Sequence, residues 1–182
     1  MADPADTQRL IGDLVREGVV TAVDHAARTC RVRTGDLDTG DIPWLAARVG
    51  ATRIWSPPSI GEQVVILAPE GDTARAIVIG SIASDTHPHI GSDAGTVVEF
   101  ADGTTIAVDP AAHTLTIVVP AGTVRLEAPQ GTTIVGPLKV EGDVEITGKA
   151  TASDDVIAAG KSLKSHKHTG VQSGAAVSGT PQ

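Results

Sequence analysis

At 182 residues with a net charge of −8 and a pI near 5.1, the chain is long enough for one domain with an appendage and too acidic for a general phosphate-binding surface. Its hydrophobic fraction is an ordinary 41%, but Trp44, Trp55 and Phe100 are the only aromatic residues, so the usual platforms for stacked bases are missing and no nucleic-acid partner is expected. The apolar content is Val, Ile, Leu and Ala, and with 20 Gly and 11 Pro it points to many short strands and tight turns.

Asp3 as a cap, Pro4 in the first turn and an apolar stripe at Leu10, Ile11, Leu14 and Val15 predict a helix over residues 4–17, stopped by Gly18. Five short strands are expected next, over residues 19–23, 30–33, 42–49, 63–67 and 74–82, the third carrying Trp44. Gly35, Gly40, Pro57-Pro58, Gly61 and Gly71-Asp72 punctuate them. Five strands at this spacing suit a small barrel such as an OB-fold. Cys30, the one cysteine, allows no intrachain disulfide and reads as core filler. No basic-plus-apolar leader opens the chain and no apolar run approaches the ~20 residues of a membrane helix, so synthesis and folding in a cytoplasm are expected.

Residues 83–94 read as a linker holding a first His-x-His pair, His87 and His89, with Asp85 nearby and Pro88 between them. A solvated loop and a metal site are both open there. From Gly95 the texture changes. Val98 and Phe100, Ile106 and Val108 after the Asp102-Gly103 turn, then Leu115, Ile117, Val119, Val124, Leu126, Ile134, Val140, Val144 and Ile146 recur as apolar positions among small and turn-forming residues. A lone meander of such strands has two open edges and one apolar face. Either three intertwined chains bury that face in a β-solenoid or β-prism, or one chain folds it into a sandwich.

Gly160-Lys161-Ser162 is not the end of a phosphate-binding loop, because Asp155 stands where the earlier glycine is required. It leads into His166-Lys167-His168. In a strand, positions i and i+2 share a face, so both imidazoles would project together. Two ligands from one chain are too few to enclose a metal, whereas two from each of three chains would complete an octahedron; a pair of solvated histidines in a polar tail is the alternative.

Three stretches carry a likeness to a known family. They are Ser56-Pro57-Pro58-Ser59-Ile60-Gly61-Glu62 continuing through Gly71-Asp72 to Gly80-Ser81, Phe100-Ala101-Asp102-Gly103-Thr104-Thr105-Ile106, and the tail His166-Lys167-His168-Thr169-Gly170 with its closing Ser178-Gly179-Thr180-Pro181. The chain resembles the central baseplate spike of contractile-tailed bacteriophages, the baseplate assembly protein V group. The resemblance implies an all-β homotrimer with an N-terminal helix, an OB-fold barrel seated on the tail hub, and an intertwined β-helix or β-prism spike with a metal-bound tip. It implies one iron ion per trimer, held by His166 and His168 of each chain, and a mechanical role, with the tip transiently contacting the host outer membrane of a virion's target. The corresponding organisation is a helical segment at 1–18, the OB-fold at 19–85, a linker at 86–94, the spike stem at 95–162 and the apex at 163–182. No enzymatic activity is expected. The competing readings are a hydrolase using Asp109 with His113 or Asp85 with His87, and an OB-fold module binding oligonucleotide or saccharide through Arg28, Arg31 and Arg33.

Overall fold

The computed structural model describes residues 3–167 and Gly174. One helix, α1 (Pro4–Asp13), precedes five strands, β1 (Val15–Asp24), β2 (Thr29–Thr34), β3 (Leu37–Asp38), β4 (Gln63–Leu67) and β5 (Ile77–Ile82). Asp3 caps the helix, its carboxylate accepting from the Ala5 N–H at 3.0 Å. The helix ends at Asp13 and not at residue 17, because the ladder competes for the chain beyond it. The Leu14 carbonyl accepts from the Ala68 N–H at 2.8 Å, and Val15 to Val19 pair with Leu67 to Gln63. Gly18, expected as the helix stop, lies within β1, so the expected boundary at residue 18 falls inside a strand. A Cβ there would stand 2.5 Å from Val32 Cγ1 and 2.6 Å from the Arg33 carbonyl oxygen, so this crossing excludes any larger residue.

The strands form an antiparallel sheet in the order β3-β2-β1-β4-β5. The segment after β3 closes it. Ile42 exchanges both backbone hydrogen bonds with Cys30 of β2 at 2.9 Å, and three residues on, Leu45 N–H donates to Val78 of β5 at 2.7 Å while Val78 N–H donates to Pro43 at 3.0 Å. The strand expected over residues 42–49 is thus reduced to isolated bridges, for Pro43 has no N–H to give. Those bridges nevertheless tie β2 to β5 and close the sheet into a barrel. The expected start of the last strand at residue 74 is also displaced. Asp72 accepts from the Ala74 N–H at 3.0 Å and holds Thr73–Arg75 in a 3-10 turn, so the strand begins at Ile77.

Alternation fills the barrel. Val20 stands opposite Val32, and with Cys30, Ile42, Val64, Ile66, Ala68, Ala76 and Val78 it makes a core in which no residue is more than 4% exposed. Cys30 belongs to that core, and burial pushes its thiol pKa up, with the negative charge of Glu62 adding to the effect.

Three further strands, β6 (Thr96–Glu99), β7 (Thr105–Asp109) and β8 (Thr114–Val118), form a separate meander. The Asp102-Gly103 turn joins the first two as expected: Asp102 accepts from the Thr104 N–H at 2.9 Å, and Gly103 takes φ +80°. Val98 faces Ile106, which faces Ile117; Val108 faces Leu115. Directly opposed residues and their i+2 neighbours share one side. One side of this sheet is therefore Val98, Ile106, Val108, Leu115 and Ile117, each between 39% and 66% exposed.

The chain divides into two compact units after Arg125, inside the expected stem. In the second, every residue from 126 to 154 is exposed. Among the described residues, none from Thr132 to Asp154 takes part in a backbone–backbone hydrogen bond. Ile134, Val135, Leu138, Val140, Val144 and Ile146 are all more than half exposed. A short hairpin ends the unit, with β9 (Ile157–Ala158) against β10 (Lys161–Ser162). Its two-residue turn, Ala159-Gly160, has φ +48° and +76°.

Candidate metal centre and barrel surface

His166 follows that hairpin directly. Asp155 organises the approach: its carboxylate accepts from the N–H of Val156 at 2.8 Å and of Lys164 at 3.0 Å. The Ser162 hydroxyl, followed by these backbone donors, holds the Asp155 carboxyl below its ordinary range. The Leu163 N–H returns to the Val156 carbonyl at 2.9 Å, and the His166 N–H to the Ser162 carbonyl at 3.1 Å. The imidazole is oriented by the same turn. Its Nδ1 lies 3.1 Å from the Ser162 carbonyl oxygen and 3.1 Å from that of Leu163. Carbonyl oxygens only accept, so these contacts suit an imidazole that donates from Nδ1. A backbone carbonyl fixing the tautomer from behind is the usual support of a metal-binding histidine.

His166 is exposed, and no group of three or more His, Cys, Asp or Glu suited to a metal occurs among the described residues. His168, the other expected ligand, lies outside the described residues. The donor present fits a metal as a neutral imidazole.

The remaining candidates fall elsewhere. Asp109 accepts from the N–H of Ala111 at 2.8 Å and of Ala112 at 3.0 Å, which ties it to the β7–β8 turn where His113 sits at φ +53°. His87 donates its N–H to Ser84 Oγ at 3.2 Å while its carbonyl accepts from the Ser84 N–H at 2.9 Å, forming a closed loop; its imidazole and that of His89 are exposed. The expected basic cluster is divided by its partners. Arg31 Nε donates to Asp41 at 2.7 Å and holds that carboxyl below its ordinary range, by the hydrogen bond first and charge second. Arg33 pairs with Asp38 at 3.1 Å. Arg28 turns to a different surface, a groove it shares with Trp44 and Trp55. The two indoles meet edge to face there, with centroids 5.4 Å apart. Sequence reasoning missed this surface, although the placement of both tryptophans within twelve positions was a readable signal.

Barrel and apex each have relatives. Residues 16–82 match the family described as the type VI secretion system/phage-baseplate injector OB domain. Residues 162–182 match the GpV Apex motif. The spike protein of Escherichia phage P2 is 31% identical over 207 aligned residues, which cover 96% of either chain. This chain belongs to the phage baseplate spike family. The spike is a structural component of the virion, located in the tail baseplate. The barrel match starts inside β1 and ends at the last residue of β5, and the apex match starts in β10, one step before the turn that orients His166.

Proposed function

We propose that the spike is a homotrimer whose barrel end attaches to the baseplate and whose C-terminal end is the membrane-puncturing tip. The observation that carries the reading is the uncovered apolar material beyond the barrel. The β6–β8 sheet presents five apolar side chains on one side, and residues 132–154 have no backbone ladder of their own among the described residues. Burying each half-exposed aliphatic side chain is worth on the order of 1 kcal/mol. Multiplied over the sheet, residues 132–154 and three chains, this supplies a large drive toward intertwining, and neighbouring chains would also provide partners for the open N–H and C=O groups. A stem over residues 95–162 and an apex over 163–182 follow from this reading, below a barrel at 19–85 and a linker at 86–94.

At the apex, His166 offers Nε2, and His168 is the second ligand; three chains would together hold one iron ion. The metal would supply a cross-link between three chain ends. The Ser162 and Leu163 carbonyls suit a ligand that donates from Nδ1. The function is mechanical: sheath contraction drives the spike into the host outer membrane, and no bond of a substrate is made or broken.

The test is mass and metal together. Light scattering on the purified protein is expected to show three copies of the 18.5 kDa chain. Elemental analysis is expected to show one iron per three chains, lost when His166 and His168 are both replaced by Ala while the trimer persists. A monomer in solution would sink the architecture, and one metal per chain, or metal retained by the double variant, would sink the apex assignment.

A further inference from the structure

The groove beside the two tryptophans is a surface of unusual composition. It has a volume of about 770 Å³. Its apolar wall is formed by Trp44, Leu45, Val49, Ile54 and Trp55, of which Leu45, Val49, Ile54 and Trp55 are half or more exposed. The loop that builds it is ordered by its own backbone: the Ile54 N–H donates to Arg48 at 3.0 Å, Val49 bridges to Arg53, and the indole pair closes the base. Three arginines border it, Arg28, Arg48 and Arg53, and no carboxylate lines it.

Those three cations differ from the other arginines of the barrel. Arg9, Arg16, Arg31, Arg33 and Arg75 each pair with a carboxylate of this chain. Among the described residues, Arg28, Arg48 and Arg53 pair with none; Arg53 Nε reaches only the Gly50 carbonyl, at 3.3 Å. A chain of net charge −8 thus places both tryptophans and three arginines that pair with no carboxylate among the described residues around one apolar groove. Trp and Arg are the residues most often found to dominate protein–protein binding, and a large exposed apolar patch on a soluble domain marks an interaction site.

We propose that this groove is the docking surface for a segment of a second tail protein that carries apolar side chains flanked by Asp or Glu. The inference rests on the reading of the barrel as the baseplate-attached end, and it names the face and the partner chemistry. The indoles and Ile54 take the apolar side chains. The arginines supply three unspent positive charges to carboxylates on either side, which sets register and accelerates encounter.

The test uses the full chain in assembled tails. A photoreactive benzophenone side chain in place of Trp55 is expected to cross-link to a different tail protein, within a segment where Asp or Glu flanks an apolar residue. Cross-linking only to another copy of this chain, or to nothing, would overturn the proposal. The double variant Arg48→Glu with Arg53→Glu is expected to keep its far-UV spectrum and oligomeric state yet enter tails at least about tenfold less often than the parent. Incorporation at the parental level would overturn the docking surface while leaving the spike reading intact. A parent chain absent from purified tails would overturn both. Titration of the parent with oligo(dT), followed by indole fluorescence, is expected to leave the spectrum unchanged; a salt-dependent shift would reassign the groove to nucleic acid.

Discussion

At the scale of single residues, Gly18 in the barrel and Asp155 beside the C-terminal hairpin each decide a local geometry. Gly18 lets β1 pass against β2 at a distance no Cβ permits. Gly18→Ala is expected to destabilise the barrel by about 1–3 kcal/mol, since Val32 Cγ1 can turn away but the Arg33 carbonyl cannot. A denaturation midpoint equal to that of the parent would show that the strands separate more easily than their contacts imply. Beside the C-terminal hairpin, Asp155 accepts from several donors while ionised, so its folded pKa lies below the ordinary value of 3.8. The sign follows: a depressed carboxylate contributes stability that is complete above the unfolded pKa and disappears as pH falls through the lower folded value. Asp155→Asn is therefore expected to loosen the 155–166 turn at neutral pH, and acidification below about pH 4 to reproduce that loosening in the parent but add nothing in the variant. Amide exchange at Lys164 is the measurement, and equal protection in both proteins at neutral pH would count against this role. The His-x-His spacing left a metal pair and a solvated tail both open, and only the family resemblance assigned His166 and His168 as ligands. The tautomer of His166 was not legible in the sequence, because it depends on two carbonyls brought to its Nδ1 by a turn whose geometry is set by Asp155.

At the scale of elements, the paired strands were the readable part. Alternation at Cys30-Arg31-Val32-Arg33 and around Val64 and Ile66 specifies which side faces the core, and that pattern survives into the barrel. The Asp102-Gly103 turn was readable for the same local reason. Elements decided by distant partners were not. The helix stripe continued through Val15 in sequence, but pairing with Leu67 claims that residue for a strand. The segment around Trp44 looked like a strand and is a pair of bridges, because Pro43 interrupts one ladder while Val78 and Cys30 still capture the backbone on either side. The arginine groove required tertiary knowledge too, since Arg28, Arg31 and Arg33 look alike until Asp41 and Asp38 neutralise two of them. The β6–β8 sheet yields a prediction at this scale. Replacing Ile106 and Ile117 together by Glu puts two carboxylates opposite one another on the uncovered side. The barrel is expected to fold normally and the trimer to dissociate, seen as a drop in mass by light scattering; a double variant that stays trimeric would place the interchain contact elsewhere.

At the scale of the whole molecule, stability has two regimes. The barrel has its own core and its own closure. In the proposed trimer the remainder is covered by neighbouring chains, so its unfolding is coupled to chain separation. Intertwined chains must unwind before they part, which makes their loss a matter of rate and not of equilibrium. The trimer is expected to survive detergent at room temperature and to dissociate at a temperature that rises with the heating rate. A dissociation temperature independent of heating rate and dependent on protein concentration would indicate three chains associated side by side.

Cys30 gives this division an experimental handle. It is the only thiol in the chain, and it is 1% exposed at the centre of the barrel. A thiol reagent cannot reach it until the barrel opens, and burial keeps the sulfur protonated and unreactive until then. The rate of modification is thus a clock for transient opening of one half of the molecule, read from intact mass one chain at a time. Because the other half contains no thiol, the clock reports on the barrel alone, and its pace with and without the chain ends held together measures how far the two halves open together.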